Sequence, residues 1–178
     1  MLRRRCLILL MLLLAGCSKK ESPSAPAQAD QGQSVKQKIS EPDPADIEQL
    51  ARREAVVLQL LKSRYPEAAL SHDENDLAWL QRLVDEKSLR ADQTYELQCL
   101  GAVLGQVFAA TTPLKWVIIE DEVGRDLALR YPNTTVIVFP MTMISQRVED
   151  GRDVDIVPLY RTVAAQVEKL KDKTDYKR

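Results

Sequence analysis

Between Asp46 and about Arg64 the apolar side chains Ile47, Leu50, Val57, Leu58 and Leu61 return at helical spacing, with Glu48, Arg52, Arg53 and Lys62 among the polar positions between them. That period predicts an amphipathic helix ended near Pro66. Asp73-Glu74-Asn75-Asp76 offers side-chain acceptors for the free amides of a helix start, and Leu77, Leu80, Leu83 and Val84 mark one face of a second, shorter helix that stops near Lys87 or Ser88. A third helix is expected from about Thr94 to Ala110, capped by Asp92 or Thr94, and its wide stripe of Leu97, Leu100, Val103, Leu104, Val107 and Phe108 makes it the central core helix. Gly101, Gly105 and Ala109 lie four apart on another strip of it. Each helical glycine costs about 1 kcal/mol against alanine, so a neighbour packed close to the backbone is expected there. A membrane dimer face does not suit a short segment that carries Glu96, Gln98 and Gln106.

The period then changes. Trp116-Val117-Ile118-Ile119 is a continuous apolar run, Arg125 to Tyr131 tends to alternate, and Val136-Ile137-Val138-Phe139 is continuous again. These read as three strands, and the short turn-forming connections Asp121-Glu122-Val123-Gly124 and Pro132-Asn133 make them antiparallel neighbours. Pro140 ends the last strand, a short helix follows from about Thr142 to Glu149, and Ile156, Tyr160, Val163, Val167 and Leu170 mark a final amphipathic helix. The expected fold is α+β, a three-stranded antiparallel meander packed against several helices.

The first residues follow another pattern. Arg3, Arg4 and Arg5 precede an apolar run from Leu7 to Leu14 that closes on small residues, the order of a secretory signal peptide and too short for a comfortable membrane span. The closing Leu14-Ala15-Gly16-Cys17 resembles the lipobox of bacterial lipoproteins. The resemblance implies that the Cys17 thiol receives a diacylglyceryl group and that the chain is cut before it. Several acyl chains would anchor the protein stably, at about 0.8 kcal/mol for each buried methylene. Ser18 stands where an aspartate would signal inner-membrane retention, so the periplasmic face of the outer membrane is the favoured address. From Ser18 to about Pro44 there is hardly an apolar side chain, and the segment reads as a disordered tether reaching roughly 25 to 30 Å as a random coil. The expected organisation is a signal peptide at 1–16, lipidated cysteine and tether at 17–44, an N-terminal helix and loop at 45–72, the α+β domain at 73–171 and a charged tail at 172–178.

Charge and cysteine content narrow the partners. The whole chain has a formal charge of −1, and loss of the three leading arginines takes it to −4, a poor balance for binding nucleic acid. With Cys6 removed and Cys17 lipidated, Cys99 has no disulfide partner and is expected to be a small buried hydrophobe on a helix.

The runs YELQCLGAVLGQVFA and WVIIEDEVGRDLALRYPNTTVIVFPMTMISQRVEDGRDVDI, between Tyr95 and Ile156, resemble an uncharacterised bacterial family catalogued as domain of unknown function 3806. Tyr95-Glu96-Leu97, Gly101, Gly105, Trp116, Glu120-Asp121, Gly124-Arg125-Asp126, Phe139-Pro140 and Ile144-Ser145 carry the likeness. It implies a domain boundary and no activity.

Enzyme signatures are absent from the sequence: there is no phosphate-binding glycine loop, no GxSxG, no HExxH and no cysteine pair at metal spacing. His72 is the sole histidine, so neither a Ser-His-Asp triad nor a multi-histidine zinc site is expected, and its acidic surroundings read as a solvated loop. No cofactor is called for. The one concentration of chemistry is Glu120, Asp121, Glu122, Arg125 and Asp126 around the first hairpin turn. These could bind a hard cation or grip an anion, or they could simply form a soluble turn with Arg125 paired to Glu120 or Asp121. All four carboxylates are not expected to converge, because alternate strand residues face opposite sides. The favoured expectation is a non-catalytic, lipid-anchored envelope protein with a protein partner. The alternatives are a small-ligand or cation receptor using the hairpin, and a wall-acting hydrolase built on a carboxylate pair.

Overall fold

A computed structural model describes residues 37–175, all within the second of two units, Val35–Arg178. The signal peptide, the lipid site at Cys17 and the tether up to residue 36 lie outside the described residues. The elements in chain order are β1 (Lys38–Ser40), α1 (Pro44–Lys62), α2 (Asn75–Asp85), α3 (Thr94–Thr111), β2 (Lys115–Glu120), β3 (Arg125–Arg130), β4 (Ile137–Val138), α4 (Pro140–Glu149) and α5 (Ile156–Asp175). The α+β class and the antiparallel meander hold, but the sheet has four strands in the order β1-β2-β3-β4 rather than three.

The added strand comes from the segment expected to be tether. Lys38, Ile39 and Ser40 pair antiparallel with Glu120, Ile119 and Ile118 along the free edge of β2. Asp43 then caps α1: its carboxylate accepts the Asp46 N–H at 2.9 Å while the Asp46 carboxylate accepts the Asp43 N–H at 2.9 Å. This reciprocal capping box, with Pro44 in the first turn, starts the helix two residues before Asp46. Among the described residues, regular structure therefore starts at Lys38, several residues before the expected boundary at 45.

Other boundaries move for local reasons. Gln93 occupies the cap position of α3, in place of Asp92 or Thr94, but its side chain accepts the Arg90 amide at 3.0 Å instead of capping the helix. The Arg90 side chain instead ties up the Asp92 carboxylate at 3.0 Å. The last strand shrinks to Ile137–Val138 because Phe139 caps α4 and Pro140 opens it. α5 continues to Asp175, into the segment expected as a charged tail.

α3 is the central helix, touching α1, α2, α4 and α5. Its Leu97, Leu100, Val103, Leu104, Val107 and Phe108 are all buried, and Cys99 is buried among them, a free thiol whose pKa burial pushes up. The strip of small residues has the packing reason expected of it. A Cβ on Gly101 would lie 2.7 Å from the Met141 Cα, and one on Gly105 would strike the Trp116 ring and come within 2.9 Å of the Pro140 ring. α4 therefore crosses α3 at a distance that only hydrogen side chains allow. On the sheet, Ile118 and Leu127 are paired across β2 and β3 and pack with Leu50, Ala102 and Met141, so α1, α3 and α4 cover that face.

Candidate functional site

The acidic hairpin does not form a single site. Arg125 sits directly opposite Glu120 in the ladder, yet its guanidinium reaches neither Glu120 nor Asp121. It crosses to the first turn of α1 and donates to both carboxylate oxygens of Asp46, at 2.5 and 2.7 Å, with Asp43 a looser partner at 3.5 Å. The expected pairing with Glu120 or Asp121 is thus replaced by a contact between residues 79 positions apart. The physical reason is burial: the Asp46 side chain is 4 % exposed, and a carboxylate so enclosed gains more from a bidentate guanidinium than the solvated hairpin acids do. Arg125 holds the Asp46 carboxyl below the usual carboxylate range against the opposing effect of burial, and the Asp43 amide helps.

The four hairpin acids go separate ways. Glu120 pairs with Lys38 of β1 at 3.6 Å, both well exposed. Asp121 closes the turn by accepting the amides of Val123 at 2.8 Å and Gly124 at 3.2 Å. Glu122 and Asp126 are exposed, and Asp126 lines a small pocket on the α1 side. Among the described residues, no group of three or more His, Cys, Asp or Glu side chains is arranged to hold a metal ion. His72 is less free than a loop residue: its ring Nε2 lies 2.8 Å from the Glu54 carboxylate, and its backbone, at φ 59°, donates to the buried Asp76 at 2.8 Å. The neighbouring Ser71 hydroxyl donates to Asp76 at 3.2 Å rather than facing the imidazole, so the three do not line up as a proton relay.

Two of the concavities among the described residues bring charged side chains beside apolar ones. The larger, about 700 Å³, lies where the C-terminal ends of α2 and α4 meet the start of α5. Leu83, Leu97, Leu100 and Val154 form an apolar floor, and Asp85, Lys87, Arg90, Arg152, Asp153 and Asp155 form a rim of mixed charge. Both helices end in left-handed turns that bring the chain around the groove. Lys87 has φ 49° and lets the Ser88 amide reach back to the Leu83 carbonyl at 3.0 Å; Gly151 has φ 70° and does the same for Arg152 and Arg147 at 2.9 Å. The far wall is pinned by Gln81, whose carboxamide accepts the Ile156 amide at 2.6 Å and donates to the Val154 carbonyl at 3.1 Å. Nothing in the sequence pattern signalled this groove, because its walls are helix ends and connections rather than a periodic face.

The smaller pocket, about 180 Å³, opens beside the hairpin and is lined by Gln49 and Arg53 of α1, Gln98 of α3, Arg125 and Asp126 of β3, and Phe139, Met141 and Thr142 at the start of α4. Arg53 is the residue that sequence reasoning passed over. It looked like one more solvated helix position, but α1 turns it inward over α3 and α4.

A crystal structure from Bacteroides thetaiotaomicron VPI-5482 shares the fold, with a TM-score of 0.65 at 16% identity over 75% of this chain. The match covers 49% of that protein, so this chain spans about half its length. No curated protein matches the chain. Residues 76–160, from the first turn of α2 into α5, match the family described as Domain of unknown function (DUF3806).

Proposed function

We propose that this protein is a lipid-anchored component of the bacterial envelope that acts as a non-catalytic binding module, its groove between α2, α4 and α5 taking a segment of a protein partner. The observation that carries the reading is the chemistry of the groove. Its floor is aliphatic, and among the described residues its lining carries rim carboxylates and cations and no histidine, cysteine or hydroxyl side chain. An apolar floor inside a polar rim is the anatomy of a recognition surface, where floor contacts supply affinity and rim charges supply orientation. The Leu14-Ala15-Gly16-Cys17 motif supports the anchor, and a tether ending at β1 would leave the domain free to search near the membrane. The receptor reading centred on the hairpin loses its main support because Arg125 is spent on Asp46, and the hairpin carboxylates face no common cleft in which a hydrolase could work.

A photo-reactive amino acid placed at Ala91 or Asp153 on the groove, and at Glu122 on the hairpin, tests the reading in cells. One and the same protein should be captured from both groove positions and not from Glu122. Capture from Glu122 alone would overturn it, as would turnover of peptidoglycan by the purified chain. For the anchor, labelled palmitate should enter the wild type and be lost in Cys17→Ala, and label persisting in the variant would remove lipidation at Cys17.

A further inference from the structure

The two arginines on the small pocket are in opposite situations. Arg125 spends its donors on Asp46 and Asp43, whereas Arg53 meets no carboxylate among the described residues. The Arg53 Nη1 has only the sulfur of Met141, at 3.6 Å, and the Nε is buried without any hydrogen-bond partner. The guanidinium lies 5.6 Å from the centre of the Tyr95 ring, a contact that tolerates the charge without neutralising it. A partly buried guanidinium with unspent donors is costly to keep in a folded protein unless something completes it.

The surroundings define what would. Gln49 and Gln98 bring carboxamides to the pocket and Thr142 a hydroxyl, while α4 starts there with no side chain capping its first amides. These groups favour negative charge. The volume, about 180 Å³, suits an acidic side chain or a chain terminus and falls well short of the roughly 300 Å³ at which drug-sized sites begin. Asp126 on the same lining works against a dianion, because one free guanidinium does not outweigh it. The planar fork of arginine matches a carboxylate. Phe139 on the lining is 41 % exposed, and Tyr95, against the Arg53 guanidinium, is 51 % exposed, both large apolar surfaces open to solvent. They would contact the residues flanking the acid.

We infer that the pocket between α1, α3 and the start of α4 is a carboxylate-binding subsite, gripping an Asp or Glu side chain or a C-terminal carboxylate through Arg53. The inference rests on the binding-module reading for the origin of the carboxylate, but the site itself is independent of the groove.

The test is a titration of the full chain in detergent, following by NMR the Arg53 side-chain Nε–H in the wild type and the Gln49 and Gln98 side-chain amides in the wild type and every variant, with acetate, inorganic phosphate, a blocked tripeptide Ala-Asp-Ala and the same peptide with alanine for aspartate. A saturable shift with the aspartate peptide is expected, weaker by about tenfold or more in Arg53→Gln and partly retained in Arg53→Lys. Asp126→Asn should tighten binding severalfold, and that variant touches only an exposed side chain. Acetate binding as tightly as the peptide would support the subsite and assign it to a free small carboxylate. Phosphate binding more tightly than either carboxylate, equal shifts from the alanine peptide, or binding unchanged in Arg53→Gln would overturn it. Capture from the groove positions together with a failed titration would remove this pocket alone, whereas a successful titration with no capture would remove the groove reading alone.

Discussion

The contact of α4 with α3 and the contact of the hairpin with α1 lie on two sides of one pocket and are held by different physics. At the first, Gly101 lets the backbone of Pro140 and Met141 lie directly against a helix, and Gly105 makes room for the Pro140 and Trp116 rings. At the second, Arg125 reaches from a strand end to the cap of α1 and fixes it through Asp46. The first contact depends on shape and has no slack, so it should be insensitive to pH and salt and intolerant of a single methyl group. The second depends on charge. It can lose a partner without a steric conflict, and its strength should follow the protonation of one carboxylate.

The largest effect is expected where the contact is steric. Gly101→Val would drive a branched side chain into the Met141 backbone, which has no flexible end to move aside. The cost should reach about 3 kcal/mol, the upper end for overpacking, and calorimetry should register a fall in melting temperature of roughly 10 °C. Gly105→Ala should be milder, because part of what it meets is the Trp116 side chain. A Gly101→Val protein melting like the wild type would mean that α4 is loosely docked, and the contrast between the two contacts would collapse.

Next in size is the strut. Arg125→Ala leaves the Asp46 carboxylate enclosed with only the Asp43 amide to satisfy it, and stranding a buried charge is expensive. A fall in melting temperature of roughly 5 °C or more is expected. Asp46→Asn should cost less, since the Arg125 side chain it releases is 46 % exposed and regains water. The reverse order would show that the arginine, rather than the aspartate, is the buried member. Asp43→Ala follows at about 1 kcal/mol, the ordinary worth of a helix cap, and a thermal melt reads it directly. No loss at all on removing Asp43 would return the segment before Pro44 to the role of a passive tether.

The sequence made the helices and the main hairpin legible because their causes are local. A repeat of three and four positions in α1, α2, α3 and α5, and glycine or asparagine at the tight turns, lie within a few residues of what they determine. The fourth strand has no such cause. Lys38-Ile39-Ser40 contains a single apolar residue, too short a run for a period to be read, and its strand is defined by pairing with the free edge of β2. The Arg125–Asp46 pair was hidden for the same reason: nearby acids at Glu120 and Asp121 looked sufficient, and the true partner was far away in the sequence. One signal did exist, since Asp43-Pro44-Ala45-Asp46 has the spacing of a capping box and so marked both carboxylates as tied to the start of α1. Arg53 carried none, because burial of one polar helix position depends on where α3 and α4 cross.

The smallest effect is also the most diagnostic, because it should appear at only one of the two contacts. Arg125 lowers the Asp46 pKa from its ordinary value of 3.8, so the folded state favours the charged carboxylate more than the unfolded state does. A carboxylate shifted in this direction adds stability that is fully present above its unfolded pKa and lost as the pH falls through the folded one. The melting temperature of the wild type should therefore exceed that of Asp46→Asn by a constant margin between about pH 7 and pH 5, and the margin should close below about pH 4. Asp73 is shifted in the same direction by the Asn75 amide, but it is present in both proteins and cancels in the difference. Raising the salt concentration should shrink the margin modestly, because the arginine end of the strut is half in water. Gly105→Ala, measured beside it, should lie below the wild type by the same margin at every pH. If the Asp46→Asn margin persisted unchanged at pH 3, the strut would be held by packing and hydrogen bonding rather than by charge, and the two contacts would differ in sequence but not in kind.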